Sequence, residues 1–156
     1  MIDKTLLTET VAKAIADTDL FIVSINITSD NNITVTLDSP SGVDIDQCVR
    51  LTREIEATFD RDIEDYELEV GSAGLTAPMT VLPQFKMNIG NPVEILTRDG
   101  RKLHATLTDV TDDLSAITVT VPTKVKEPGA KRPTIQDIPE TINLDNVKYI
   151  TREIIF

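Results

Sequence analysis

The sequence predicts an α+β domain over residues 1–80, followed by an all-β domain over residues 81–156. Three observations lead to this prediction. Apolar residues in the first half switch between the helical spacing of three or four and the two-residue alternation of strands. Residues 71–83 then lose all periodicity and are rich in glycine, alanine, threonine and proline, which indicates a linker with short helical content. The second half contains short β-prone runs, which favour a small closed barrel.

The first domain is predicted to have the element order α-β-β-α-β. Residues 4–16 carry apolar side chains at helical spacing, whereas residues 20–28 and 33–37 alternate as two strands joined by a polar turn. A second helix is predicted over residues 44–59, and a third strand over residues 66–70. Two helices of this kind should pack on one face of a sheet.

The second domain is predicted from four or five short runs and one hairpin signal. Asp99 and Gly100 separate the first two runs, and an Asp-Gly pair favours the tight turn of a β-hairpin. A long loop is expected over residues 123–140, which hold four prolines or glycines, and a loop of that length is either functional or disordered. The β-prone runs cover residues 92–98, 102–110, 116–122, 141–145 and 147–154. The basic residues of the loop are Lys124, Lys126, Lys131 and Arg132.

The net charge of −11 lies wholly in the first domain. Residues 1–80 hold 5 Lys/Arg and 16 Asp/Glu, whereas residues 81–156 hold 10 of each. An acidic half repels phosphate backbones and attracts basic partners, so no nucleic-acid contact is expected there. The alternative is an acidic surface that serves only solubility.

The sequence does not indicate a secretory signal, a membrane-spanning segment or a reactive cysteine. Charged side chains interrupt residues 1–20, where a secretory signal would need an apolar run, and no run approaches the roughly 20 residues that cross a bilayer. We therefore expect a soluble, cytoplasmic protein without a membrane partner. The single cysteine, Cys48, excludes an internal disulfide, and we expect a buried and inert thiol.

Candidate catalytic and metal-binding residues lack the partners that such chemistry requires. His104, the single histidine, has no cysteine or second histidine to complete a metal site, so a surface position on a strand is expected. Ser72 follows Gly71 directly, which departs from the Gly-x-Ser-x-Gly pattern of a nucleophile elbow. Glu67 and Glu69 share one face of a predicted strand, but acid–base work needs a cleft that perturbs their pKa values.

The Gly71-x-x-Gly74 spacing does not indicate a phosphate-binding loop. A Walker loop is longer and ends in Lys-Ser or Lys-Thr, which is absent here. The same spacing occurs in the RNA-clamping loop of KH domains, but here it follows a strand and is surrounded by acidic residues. We expect no catalytic residue, no metal and no cofactor.

One run of the sequence resembles the domain junction of the RimP family. In that family an alternating strand ends in Leu-Glu-Val-Ser-Ser-Pro-Gly-Leu and continues as Asp-Arg-Pro-Leu. Gly71 replaces a serine of this pattern, Ala73 replaces the proline, and Thr76-Ala77 replaces Asp-Arg, so any contact of that arginine does not carry over. The residues that fit are Leu68, Glu69, Val70, Ser72, Gly74, Leu75 and Pro78.

The resemblance implies a fold and a function. The fold is an N-terminal α+β domain joined to a C-terminal SH3-like, or Sm-like, barrel. The function is that of a non-catalytic cytoplasmic factor which binds the immature small (30S) ribosomal subunit and assists its maturation, without a cofactor. Glu69, Ser72, Gly74 and Leu75 are the candidate family-motif and interdomain residues.

Charge then predicts how the two domains divide the binding. The acidic first domain is expected to contact a basic ribosomal protein, and Lys124, Lys126, Lys131 and Arg132 are expected to contact rRNA phosphates. The protein is expected to be a monomer. One alternative is a stand-alone Sm-like RNA-binding regulator, which would form rings. Another is a hydrolase that uses Ser72 or the Glu67 and Glu69 pair.

Overall fold

The computed structural model describes residues 1–154 and divides the chain into two compact units, Met1–Gly74 and Leu75–Phe156. The boundary lies six residues before the expected one. Met79 explains the shift, because its side chain is buried in the core of the second unit and its backbone N–H donates to the Ile150 carbonyl at 2.9 Å. The linker predicted from composition is therefore largely part of the second unit.

The first unit has the predicted order of helices and strands. Strand β2 is central, pairing antiparallel with β1 and parallel with β3. The parallel pair is possible because α2 carries the chain back to the starting end of the sheet. The elements are α1 (Lys4–Ala14), β1 (Phe21–Ile27), β2 (Asn32–Asp38), α2 (Ile45–Thr58) and β3 (Glu67–Ser72).

Both helices of the first unit begin at an aspartate that caps their free amides. The Asp3 side chain accepts from the backbone N–H groups of Thr5 and Leu6. Asp44 accepts from the Gln47 backbone at 2.7 Å while the Gln47 side chain accepts from the Asp44 backbone at 3.0 Å. This reciprocal capping box pairs two donors that the helix itself leaves unbonded.

One core joins the helices to the sheet. Apolar side chains at steps of three and four on the helices meet the inward-facing alternate positions of the strands. Tyr66 closes this core beside Phe59, and its hydroxyl donates to the Phe59 carbonyl at 2.8 Å. The fully buried members are Leu7, Val11, Val35, Leu37 and Ile55.

The second unit is a short helix and a five-stranded antiparallel sheet with the order β7-β6-β5-β4-β8. A single 3-10 turn, Leu144–Asn146, separates the last two strands. The elements are α3 (Leu82–Met87), β4 (Pro92–Thr97), β5 (Lys102–Val110), β6 (Ala116–Val125), β7 (Thr134–Asn143) and β8 (Val147–Arg152).

The closed barrel expected from the short strands is not found in residues 1–154. Strand β7 pairs with β6 alone and β8 with β4 alone, so the sheet keeps two edges. The chain turns sharply at the 3-10 turn, and β8 then pairs with the opposite end of the strand order. Inward-facing residues of all five strands still form one core with Phe85 of α3.

The long loop expected at residues 123–140 is mostly a β-hairpin. Strands β6 and β7 pair continuously from Ala116↔Asn143 to Val125↔Thr134, so the loop spans only residues 126–133. Prolines suggested a loop because they cannot donate to a ladder. Pro122 and Pro139 are tolerated because β5 pairs with β6 only as far as Thr120, and because β7 is an edge strand.

Helix α2 offers a matched test of the first core. Ile55 is 0% exposed, whereas Ile45 on the same helix is 81% exposed. Ile55→Ala should lower the free energy of unfolding by about 2–5 kcal/mol, because it removes buried methyl groups and leaves a cavity. Ile45→Ala should change the free energy by less than about 0.5 kcal/mol. Urea denaturation followed by circular dichroism measures both, and equal losses would contradict this core.

Candidate functional site

The outer half of the β6–β7 hairpin extends beyond the sheet as a two-stranded ribbon. The last pair between β5 and β6 is Thr106↔Thr120, so residues 121–125 of β6 pair only with residues 134–138 of β7. We call residues 121–138, including the intervening loop, the β6–β7 arm. Nearly every side chain of the arm is exposed, so both of its faces are open to a partner.

The two faces of the arm differ in chemistry. Side chains of directly paired residues project to the same side of a sheet, so Lys124 shares a face with Ile135. Val121 and Ile138 share the other face, which continues from the buried Val119. Ile135 is 70% exposed and Ile138 is 40% exposed. One face of the arm is therefore basic and apolar together, and the other is an extension of the core face.

The loop of the arm contains a tight turn. The Ala130 N–H donates to the Glu127 carbonyl at 3.0 Å, and Gly129 has φ of +84°, a left-handed conformation that glycine adopts without a side-chain clash. The Gln136 amide donates to the Glu127 carboxylate at 3.2 Å, which joins the turn to β7. Lys126 and Lys131 lie immediately on either side of this turn.

The four predicted cationic residues all lie on the arm. Lys124 is in β6, and Lys126, Lys131 and Arg132 are in the loop. All four are exposed, and no carboxylate within residues 1–154 forms an ion pair with them. Their charges are therefore available to an anionic partner such as a nucleic-acid backbone.

The four candidate junction residues lie close to one another along the chain. Glu69 lies on β3 opposite Thr34, and its side chain is exposed, while Ser72 ends the strand. Gly74 ends the first unit, and Leu75 begins the second and is 71% exposed. All four residues are exposed to solvent.

Structure at the junction gives no support to a nucleophile. No residue among those described hydrogen-bonds the Ser72 hydroxyl, which would need an adjacent base to react. Glu67 and Glu69 are both exposed, as expected for a solvated strand face. Cys48, expected to be buried, is only half-buried, and desolvation together with the Asp44 charge raises the pKa of its thiol.

Sequence reasoning did not anticipate a polar network on the outer face of β4, β5 and β8. Glu94 accepts from the Tyr149 hydroxyl at 3.1 Å and pairs with the Lys102 ammonium at 3.2 Å. His104, placed on a strand surface as predicted, lies 3.0 Å from the Glu153 carboxylate. The contacting residues are up to 55 positions apart, so no local pattern could reveal them.

The Lys102 ammonium, which donates to Glu94, lowers the pKa of this carboxyl, and Glu94 in turn raises the pKa of Lys102. A cleft of about 480 Å³ borders the network and is lined by Thr76, Pro78, Glu94, Tyr149, Thr151, Arg152 and Glu153. Within the described part of the chain, no cluster of three or more His, Cys, Asp or Glu side chains could hold a metal ion. No helix in residues 1–154 is both long and apolar enough to span a bilayer.

Known proteins resemble this chain over nearly its whole length. A family model described as the RimP N-terminal domain matches residues 10–76. A ribosome maturation factor RimP from Porphyromonas gingivalis is 41% identical over 154 residues, which cover 97% of this chain and 99% of that protein. The ribosome maturation factor RimP of Cytophaga hutchinsonii is 30% identical over 140 residues, or 83% of each protein. That of Flavobacterium psychrophilum is 37% identical over 94 residues, or 60% of each.

The pKa of Glu94 provides a test of the polar network. Its carboxylate should titrate below the ordinary glutamate range, since Lys102 and Tyr149 stabilise the charged form. Its contribution to stability is therefore present above the ordinary glutamate pKa and is lost as pH falls through the lowered pKa. Lys102→Ala should raise the midpoint in a side-chain carboxyl NMR titration, whereas Lys148→Ala, at an exposed lysine, should not. An unchanged midpoint in Lys102→Ala would contradict the pairing.

Proposed function

This chain belongs to the RimP family of ribosome maturation factors, and we propose that it binds the immature small ribosomal subunit and assists its maturation without catalysing a reaction. The observation that carries the proposal is the 41% identity to a ribosome maturation factor over nearly the full length of both proteins. Similarity that extends through both units supports a function that uses both. A cytoplasmic monomer is the form that we propose.

The difference in net charge between the units supports a division of labour between them. All of the −11 net charge lies in Met1–Gly74, because residues 75–80 carry no charged side chain. We assign contact with a basic ribosomal protein to this unit, since the opposite charges attract at long range. The second unit has no net charge, and the four cations of the arm have no ion-pair partner among residues 1–154.

The arm is the proposed rRNA contact. Lys124, Lys126, Lys131 and Arg132 are exposed at the end of a ribbon that extends from its sheet, so their charged groups are accessible to a partner. Phosphates are the ligands that suit such unpaired cations. The neighbouring Ile135 adds an apolar surface, against which a base or a sugar could pack.

Two further features support a binding protein. Ser72 lacks a hydrogen-bonded base among the described residues, and the carboxylates Glu67 and Glu69 are solvated, so these three candidates do not form an assembled acid–base site. The strand order also supports an SH3-like arrangement, opened along one side, because β4 and β8, the first and last strands of the unit, are neighbours.

Salt dependence tests the rRNA contact. If the four arm cations each contact a phosphate, the slope of log K against log salt for binding to purified small subunits includes about −2.8 to −3.6 from the arm. A variant in which all four are changed to Ala should have a slope that is shallower by this amount. Binding would be measured by co-sedimentation at several salt concentrations.

A matched control removes the same charge elsewhere. Lys4, Lys13, Lys148 and Arg152 are exposed, are unpaired among the described residues and lie outside the arm. Changing these four to Ala should leave most of the slope intact, so the comparison separates a local contact from a general charge effect. Equal slopes for the arm variant and the unaltered protein would remove the arm from the RNA contact.

Loss of the gene tests the proposed function as a whole. A strain that lacks this protein should accumulate free small subunits containing unprocessed rRNA, because late assembly steps slow down. Sucrose-gradient profiles with rRNA end analysis measure the effect, and expression of the unaltered chain should restore the profile. A normal profile in the deletion strain would contradict the proposal.

A further inference from the structure

Edges of sheets carry unpaired backbone groups, and proteins usually interrupt an exposed edge to prevent pairing with other chains. Four edge strands occur within residues 1–154, namely β1, β3, β7 and β8. The bulged residues Val23 and Lys148 interrupt β1 and β8, and Pro139 interrupts β7. Strand β3 has no such interruption, because its six residues pair with β2 without a register shift and include neither proline nor lysine.

Backbone geometry shows which amides of β3 are free. The Glu67 N–H donates to the Asn31 carbonyl at 3.0 Å, and the Ala73 N–H donates to the Leu37 carbonyl at 2.9 Å. Successive amides of a strand point to opposite sides, so those of residues 68, 70 and 72 point away from β2. No other described strand pairs with this side of β3. A row of three donors, with the carbonyls between them, therefore faces outward.

Two glycines at the end of β3 have no role in the internal packing of the unit. Gly71 and Gly74 have no positive φ, and a Cβ atom added at either would meet nothing within 4 Å. The fold therefore does not need glycine at these positions. Glycine in a strand also marks places where another backbone approaches closely, and the free edge gives such a backbone a position beside β3.

Charge determines which strand fits this edge. Glu67 and Glu69 are exposed on the outer face of β3, and Leu68 and Val70 pack against the core on the inner face. Two copies of β3 placed edge to edge would bring these glutamates together, which disfavours self-association. A strand with lysine or arginine on its outer face would instead gain cross-strand charge pairs. Apolar residues on its inner face would extend the core.

We propose that the free edge of β3 binds an extended basic segment of a ribosomal protein by β-augmentation. The segment adds a fourth strand to the sheet, with a basic residue at every second position and an apolar residue between. Backbone hydrogen bonds provide affinity, and the alternation provides specificity. The ribosomal source of the segment rests on the proposed function, whereas the edge and its charge preference do not depend on it.

Amide hydrogen exchange of the full chain tests the edge directly. The probe is a peptide of alternating lysine and valine, and the readout is the exchange rate of each β3 amide measured by NMR. Amides of residues 68, 70 and 72 should exchange rapidly in the free protein and at least tenfold more slowly with saturating peptide. Those of residues 67, 69, 71 and 73 should change little, since β2 already bonds them. Uniform protection, or none, would overturn the proposal.

Two peptide controls separate strand addition from charge attraction. A peptide of the same sequence with N-methyl groups at every second residue keeps every charge but lacks the donors along one edge. It should bind at least tenfold more weakly, and equal binding would show attraction by charge alone and overturn the proposal. A peptide of alternating glutamate and valine should not bind.

A matched pair of variants tests the charge preference. Glu67→Lys with Glu69→Lys should weaken binding of the lysine–valine peptide by roughly tenfold, which corresponds to two lost cross-strand charge pairs. Glu9→Lys with Asp17→Lys makes the same net change at exposed positions on and after α1 and should have a smaller effect. Equal effects would overturn the proposal, and circular dichroism would verify that both variants are folded.

Binding to purified small subunits separates this inference from the proposed function. If the unaltered protein binds subunits and the Glu67 and Glu69 variant binds equally well, the proposed function stands and the edge contact fails. If the unaltered protein does not bind subunits at all, the proposed function fails. The alternating exchange pattern would then still decide whether the edge accepts a basic strand.

Discussion

The central strand β2 holds the first unit together, because it alone has a hydrogen-bonded neighbour on each side. Its inward residues Ile33, Val35 and Leu37 are at most 2% exposed and lie in the same core as both helices. Because β2 occupies the middle, β1 and β3 must each have one free edge. The central position of β2 therefore places its side chains in the core and also leaves one edge of β3 exposed.

In the second unit, the arm forms because the pairing between β5 and β6 ends before the pairing between β6 and β7 does. Strand β5 stops supporting β6 at Thr120, but β6 continues with β7 alone to Val125. The resulting arm is held by its own ladder and by the turn at Gly129. A ribbon of this kind carries its cations beyond the sheet of a unit that has no net charge, which suits contact with a polyanion.

Charge and hydrogen bonding act together at both proposed contacts. At β3 the unpaired backbone would pair with many extended chains, and the glutamates beside it restrict that choice to basic ones. On the arm, the unpaired cations attract phosphate without regard to sequence, and Ile135 adds a short-range contact. A ribosomal precursor contains both basic protein segments and exposed RNA, so one particle would offer a target for each of the two proposed contacts.

The sequence by itself determined the features that depend on neighbours along the chain. Both helices of the first unit, the hairpin of β1 and β2, and strand β5 at residues 102–110 follow from local periodicity and turn residues, which act over a few positions. The charge difference between the units and the similarity at residues 66–75 were also present in the sequence.

Tertiary structure decided the features that depend on distant partners. The prolines and glycines of residues 123–140 suggested a loop, but long-range pairing made most of that segment a hairpin, since Pro139 lies on an edge strand that lacks a partner on one side. The sheet is open because β8 pairs with β4 and not with β7, and the β4–β8 pairing also brought Tyr149 to Glu94. Only the assembled sheet showed that β3 is an uninterrupted edge strand. A strand is at an edge when no other strand pairs with one of its sides, and the residues of the strand itself do not determine this.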